Sequence, residues 1–318
     1  MRVGVMIGPH RGRYSTKVES LRADAVLAES AGFETVWIPQ IPDEFDALTA
    51  ATVAGSATAH VEIGTAVVPV QPRHPIALAQ QALSVQAVTN GRLCLGLGVS
   101  HHWVISDMLG LAYDRPALTM RSYLEVLERA FSGPGSVDVE NEMFKVHNPL
   151  DITDLPPIPV LIAALGPVML RLAGRLTSGT ILWMADERAI DTHVVPLITE
   201  AAAKAGRPAP RIVAGVPVCL CREAEVDTAR SRANRILAEA EVSPNYQRLL
   251  SIGDATGIGD ILACGTESTI EKRLRAFADA GTTDLSVRVL AIGDNRDEMV
   301  ESARRTRELV ASLARSLR

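Results

Sequence analysis

Aromatic residues are scarce in this chain, 4% of 318 residues, and positive charge is not in excess: 32 Lys plus Arg face 37 Asp plus Glu, a formal net charge of -5. Such a chain has neither the basic footprint nor the stacking platforms that nucleic-acid binding draws on, so no nucleic-acid partner is expected. Cysteine is equally sparse. Cys94, Cys219, Cys221 and Cys264 make no disulfide framework in a chain this long, and Cys219-Leu220-Cys221 lacks the two-residue gap of common zinc and redox pairs. They read as reduced, mostly buried thiols of a cytoplasmic protein. No run approaches the roughly 20 apolar residues of a membrane helix, the best candidate being residues 212–221, so no membrane partner is expected. Residues 1–9 are too short and lack the cleavage site of a signal peptide, and read as a strand. Lysine accounts for only four of the basic residues (Lys17, Lys145, Lys204, Lys272), a bias associated with high-GC bacterial genomes that says nothing of function.

What is present is ample core material, with 47% hydrophobic and 22% charged residues, the balance of an ordinary globular protein. The hydrophobic period alternates between strand and helix along the chain. Strands are read at residues 2–8, 35–39, 61–70, 92–99, 160–164, 179–184, 211–221 and 284–290, each followed by a helical pattern. Thr16 with Glu19 and Ser268 with Glu271 have capping-box spacing, and Gly32 and Asn90-Gly91 read as helix stops. Two stretches break the rhythm: residues 132–159, read as an inserted hairpin or loop, and residues 243–265, read as irregular. The strands are continuous apolar runs, as in a parallel sheet with both faces covered. The expectation is therefore a single (β/α)8 TIM barrel domain over residues 1–318, with insertions after helices four and seven. A doubly wound sheet would carry a G-x-G-x-x-G turn after its first strand, where this chain reads Gly8-Pro9-His10-Arg11-Gly12-Arg13.

Catalysis in such barrels sits at the carboxyl ends of the strands. The candidates there are His10, Gln40, residues 69–74, 100–103, 165–168 and 184–186, Arg222 and residues 290–293. Strand four alternates Leu93, Leu95 and Leu97 against Cys94, Gly96 and Gly98. Glycine on the inner face leaves room either for a flat ligand or for a close backbone approach. Gly166-Pro167-Val168 opens an amphipathic helix whose free N–H groups suit a phosphate, although plain helix initiation has the same text. His101-His102 follow strand four with no third ligand at metal spacing, so no metal is expected; a general acid and a loop histidine bonded to backbone both remain open.

Taken together, several segments resemble one superfamily. They are Phe33-Glu-Thr-Val-Trp37, Ile63-Gly-Thr-Ala-Val-Val-Pro69, the helix start from His74-Pro75 to Gln81, Asn90-Gly-Arg-Leu-Cys-Leu-Gly-Leu-Gly98-Val-Ser-His101, and Pro159-Val-Leu-Ile-Ala-Ala-Leu-Gly-Pro167 through Gly174. The chain resembles the bacterial luciferase-like superfamily and, within it, the branch that uses the deazaflavin coenzyme F420. The resemblance implies a barrel with the deazaflavin across its strand ends. It places Ala66 and Val67 in a bulge, often with a non-proline cis peptide, against the back of the ring. Gly98, Val99 and Ser100 would line the tail, and the backbone of Leu165, Gly166, Pro167 and Val168 would take the phosphate. His101 stands where some relatives carry an acidic residue beside the ring and is the expected proton donor or acceptor. Relatives that oxidise alcohols carry an Asp-His pair after strand two; here the positions are Pro39 and Gln40, so that base is missing, while Gln40 can still hydrogen-bond a ring edge or substrate carbonyl. Kinship also implies a homodimer.

The leading expectation is an F420-dependent oxidoreductase moving hydride between deazaflavin C5 and a small organic substrate. Its main alternative is an FMN-dependent monooxygenase of the same barrel using oxygen. A phosphorylated-substrate aldolase or isomerase would want a strand-end Lys or paired carboxylates, and none of the four Lys is placed so. A catalytically silent flavin-binding relative is the remaining reading.

Overall fold

The computed structural model describes residues 1–8, 16–152, 154–238 and 243–317. In chain order the strands are β1 (Arg2–Met6), β2 (Thr35–Ile38), β3 (Glu62–Thr65), β4 (Val68–Pro69), β5 (Leu93–Gly98), β6 (Gly135–Glu140), β7 (Lys145–Leu150), β8 (Val160–Ala163), β9 (Gly179–Trp183), β10 (Arg211–Leu220), β11 (Ala263–Gly265) and β12 (Asp284–Val289). Parallel pairing runs β1, β2, β3, β5, β8, β9, β10, β12 and returns to β1, so eight strands close into the expected (β/α)8 barrel. The helices are α1 (Lys17–Ala31), α2 (Ala47–Ser56), α3 (Pro75–Val88), α4 (Pro116–Phe131), α5 (Pro167–Leu176), α6 (Glu187–Ala189), α7 (Val195–Lys204), α8 (Val226–Leu237), α9 (Pro244–Ile252), α10 (Ile258–Ile261), α11 (Glu267–Asp279) and α12 (Arg296–Ser316).

Alternation along the strands sorts the core into two parts. Outward-facing Val3, Val5, Val36, Ile63, Leu93, Leu95, Leu97, Val216 and Val287 join the helices in one apolar layer. Inward-facing Trp37, Cys94, Leu161, Ile181 and Val213 fill the barrel itself. Trp37 needs its neighbours to be small: a Cβ on Gly64 would lie 2.3 Å from its ring and one on Gly4 2.7 Å from its Nε1. At the amino end the barrel is plugged by charge. Arg211 pairs with Asp284 (2.5 Å) and Glu62 (2.9 Å), while Arg2 reaches Asp284, Glu62 and Glu34. Burial pushes the adjacent Cys94 thiol up, so it stays protonated.

Several local expectations need correction. Thr16 does precede α1, but its φ of -115° and ψ of 6° are not the extended geometry from which a hydroxyl reaches the third helical N–H, and no side-chain cap forms. In α11 the cap is Thr266, whose Oγ1 accepts from Thr269 N, because the extended backbone after β11 puts the cap two residues before Ser268. The strand read at 61–70 is split into β3 and β4 around a cis Ala66–Val67 peptide. The helical pattern after the strand read at 179–184 is a short α6, a π-helical turn at Ile190–Val194 and α7. A π-helical turn at Trp103–Met108 stands between β5 and α4, its two buried residues, Val104 and Ile105, being too few to set a period in the sequence. Residues 132–159 do contain a hairpin, β6–β7, which Asn141 ties to the α4 carbonyl of Ser122 (3.0 Å). Residues 243–265 are ordered as α9, α10 and β11, the last pairing with β10 outside the barrel.

Candidate functional site

The carboxyl ends of β3, β4 and β5 form one side of the barrel mouth. Thr65 Oγ1 donates to Gly96 O and accepts from Gly96 N, both at 2.9 Å, drawing the two strands together. A Cβ on Gly96 would stand 2.0 Å from Thr65 O, and one on Gly98 2.6 Å from Val67 Cγ2. The choice left open by the sequence is thus resolved: these glycines permit a close approach of backbone and of Val67. Ala66 and Val67 are half-buried over the inner cluster of Trp37, Cys94 and Leu161. The bulge expected at this pair is where β3 breaks into β4.

Beyond Gly98 the chain turns sharply. Val99 O accepts from Gln71 Nε2 (2.9 Å), and Ser100, at a left-handed φ of 57°, presents its carbonyl to Tyr113 Oη (3.0 Å). The His101 ring stacks on Trp103 with centroids 4.3 Å apart and lies 5.8 Å from the ring of Tyr246. Burial, and after it the neighbouring Tyr113, push the Tyr246 phenol up, so it is a neutral hydrogen-bond donor across the physiological range. Gln40 is half-buried at the end of β2. Its Oε1 accepts from Ala47 N (2.9 Å) at the start of α2, which leaves the amide nitrogen as the end that can meet a ligand. His10 lies outside the described residues.

On the other side of the mouth, Leu165 follows β8 and its carbonyl contacts His193 Nε2 at 2.9 Å. Gly166 is the N-cap of α5, Pro167 its first residue, and no side chain caps its N-terminus. Val168 is 65% exposed. Among the described residues beyond its chain neighbours, the one atom within 4 Å of where a Gly166 Cβ would be is Arg248 Nη1, at 3.8 Å, from α9. The structure therefore brings Leu165, Gly166, Pro167 and Val168 together at one helix start, and Ala66, Val67, Gly98, Val99, Ser100 and His101 around one strand pair. Gln40 sits apart, at the end of β2.

Four residues of this mouth escaped the sequence reading. Arg288, half-buried on β12, donates to Met6 Sδ (3.5 Å) from the inner face. The alternation Asp284, Ser286, Arg288 marks that face and was a usable signal. Trp183, stacked over Gly215, could have been found the same way on β9. Tyr246 and Arg248 could not, since they reach the mouth from an insertion. Gln71 lay within the candidates but gained meaning only here: its Oε1 is buried with no donor among the described residues. The strand-end candidates Arg222 and residues 290–293 lie aside. Arg222 pairs with Glu225, and Ile292, Gly293 and Asp294 border a separate groove of about 470 Å³ against α8.

A family model described as luciferase-like monooxygenase matches residues 1–284. The chain belongs to this family. It is 25% identical over 303 residues to a 5,10-methylenetetrahydromethanopterin reductase of Methanolobus tindarius, covering 87% of this chain and 92% of that protein. Its fold is that of the coenzyme F420 dependent tetrahydromethanopterin reductase of Methanopyrus kandleri (TM-score 0.73, 21% identity, 98% and 97% of the two chains covered). It is also that of the FMN-bound oxygenating constituent of 3,6-diketocamphane monooxygenase from Pseudomonas putida (TM-score 0.76, 17% identity, 100% and 98% covered). By sequence this luciferase-like chain is thus similar to a methanopterin reductase, and by fold to F420-dependent and FMN-bound enzymes; it is an oxidoreductase- or monooxygenase-like enzyme.

Proposed function

We propose that this luciferase-like chain is an F420-dependent oxidoreductase acting on a small organic substrate. The observation that carries the reading is the two-ended cradle at the mouth. At one end Ala66 and Val67 form a floor, drawn close onto β5 because Gly96 and Gly98 carry no side chains there. At the other, the uncapped start of α5 presents free N–H groups beside Arg248, a donor set suited to an anionic tail. These residues fit a planar ring with a phosphate-bearing tail, and similar proteins described as F420-dependent favour the deazaflavin. When bound, that group supplies a hydride at its C5 carbon, and the hard redox chemistry is its own.

The protein's residues orient, exclude water and handle the proton. Val67 and Ala66 set the depth of the ring. Gln71 Oε1, buried without a donor among the described residues, is the acceptor for an N–H or O–H of the bound molecule. Gln40 offers its amide N–H to a ring edge or substrate carbonyl. His101, held on Trp103, exchanges the proton that accompanies hydride transfer, and Tyr246 closes the aromatic wall beside it. Titration of the purified protein with F420 and with FMN, in parallel, tests the assignment. Binding of F420 with hydride transfer to an acceptor is expected; tight FMN binding with no response to F420 would turn the reading to an FMN-dependent monooxygenase.

A further inference from the structure

The cover of this mouth is attached in an unusual way. Asp186, just past β9, is 4% exposed, and its carboxylate carries three backbone N–H bonds. Oδ1 accepts from Ala189 N (2.8 Å) and so starts α6. Oδ2 accepts from Asp254 N and from Ala255 N (2.8 Å), in the segment that follows α9. A buried carboxylate is costly unless its lone pairs are used, and here the second oxygen is used entirely by the insertion. Gly253, between α9 and those two N–H groups, has a φ of -78° that any residue adopts, so its lack of a side chain is a matter of space. A Cβ there would fall 2.3 Å from Asp186 Oδ1. Beyond this key, α9 has one buried apolar anchor, Leu249.

From this one helix Tyr246 meets His101 at the end of β5, while Arg248 reaches the start of α5 at Gly166. The helix therefore spans the gap between the ring end and the tail end of the cradle. We propose that Asp186 is the positioning residue that sets α9 over the mouth, so that Tyr246 and Arg248 meet opposite ends of the bound cofactor. This rests on the cofactor reading above. Asparagine cannot replace Asp186 in the role, because it has a single acceptor oxygen and would turn an NH2 toward one set of backbone N–H groups.

The test compares wild type, Asp186→Asn, Gly253→Ala and, as a control, Arg188→Ala, which removes only the exposed ion pair to Asp254. Gly253→Ala leaves the carboxylate in place and displaces the insertion sterically, so the two variants reach the same end by different routes. F420 is titrated by its fluorescence, the absorption spectrum of the bound ring is recorded, and hydrogen exchange is followed over residues 244–252. Asp186→Asn and Gly253→Ala should each weaken F420 binding by about tenfold, alter the bound-ring spectrum and speed exchange in α9, with Arg188→Ala unchanged. Unchanged affinity and spectrum in both variants would overturn the proposal, even if exchange rises. Should wild type ignore F420, the cofactor assignment falls, and the same comparison made with FMN decides for or against Asp186.

Discussion

At the amino end of the barrel Arg2, Glu62, Arg211 and Asp284 come from four strands and pair with one another, with Asp284 only 3% exposed. At the carboxyl end Gln40, His101 and Arg288 are half-exposed, and the cover comes from α9 and from the segment after β5. Both ends hold ionisable side chains facing the axis, yet at one they satisfy each other and at the other they line an opening. The difference teaches where stability and chemistry reside: the first end is expected to resist change for the sake of the fold, the second for the sake of what it binds.

Mutations that separate folding from binding would sharpen or break that contrast. Asp284→Ala carries the largest expected effect, a loss of about 3–5 kcal/mol, since it removes the buried carboxylate that the partly buried Arg211 and Arg2 share and leaves Glu62 to serve both; denaturant unfolding reads it, and a near-neutral result would erase the distinction. Next, His101→Ala should lower turnover about a hundredfold at nearly constant cofactor affinity, and a variant as fast as wild type would remove His101 from proton transfer. Gly96→Ala should cost about 1–3 kcal/mol, because its Cβ would meet Thr65 O, a backbone atom, at 2.0 Å. It is the case where the two ends overlap, so melting and F420 affinity should fall together. Gly166→Val should weaken F420 about tenfold while melting barely moves, since among the described residues only Arg248 comes close to the space beside Gly166; equal affinity would count against the phosphate role. The smallest effect is expected for Arg248→Ala: stability within about 0.5 kcal/mol of wild type and a few-fold loss of F420 affinity that fades as salt is raised.

The barrel was readable because eight apolar runs alternate with helical periods, and burial on both faces leaves that pattern intact. The inner and outer faces of β5 were readable for the same reason, through Leu93, Leu95 and Leu97 against Cys94, Gly96 and Gly98. Capping was less so. Thr16 and Ser268 had the right spacing, but backbone angles set by the preceding segments decide which hydroxyl reaches an N–H. At the mouth, residues supplied by strands could be placed by counting, and Arg288 would have been found by extending the count one strand further. Tyr246 and Arg248 lie 145 and 82 positions from the partners they approach, His101 and Gly166. No local pattern records such a meeting; it is fixed by Asp186 and Gly253 gripping a distant backbone.

The floor of the mouth is main chain, Ala66 and Val67, since β5 contributes Gly96 and Gly98 there rather than side chains. A surface made of peptide groups offers little for substitution to reshape. Selectivity in descendants of this protein, natural or from directed evolution, would therefore drift through the covering segments, and a randomised library aimed at α9 and the π-helical turn after β5 should yield more altered specificities than one aimed at the strands beneath.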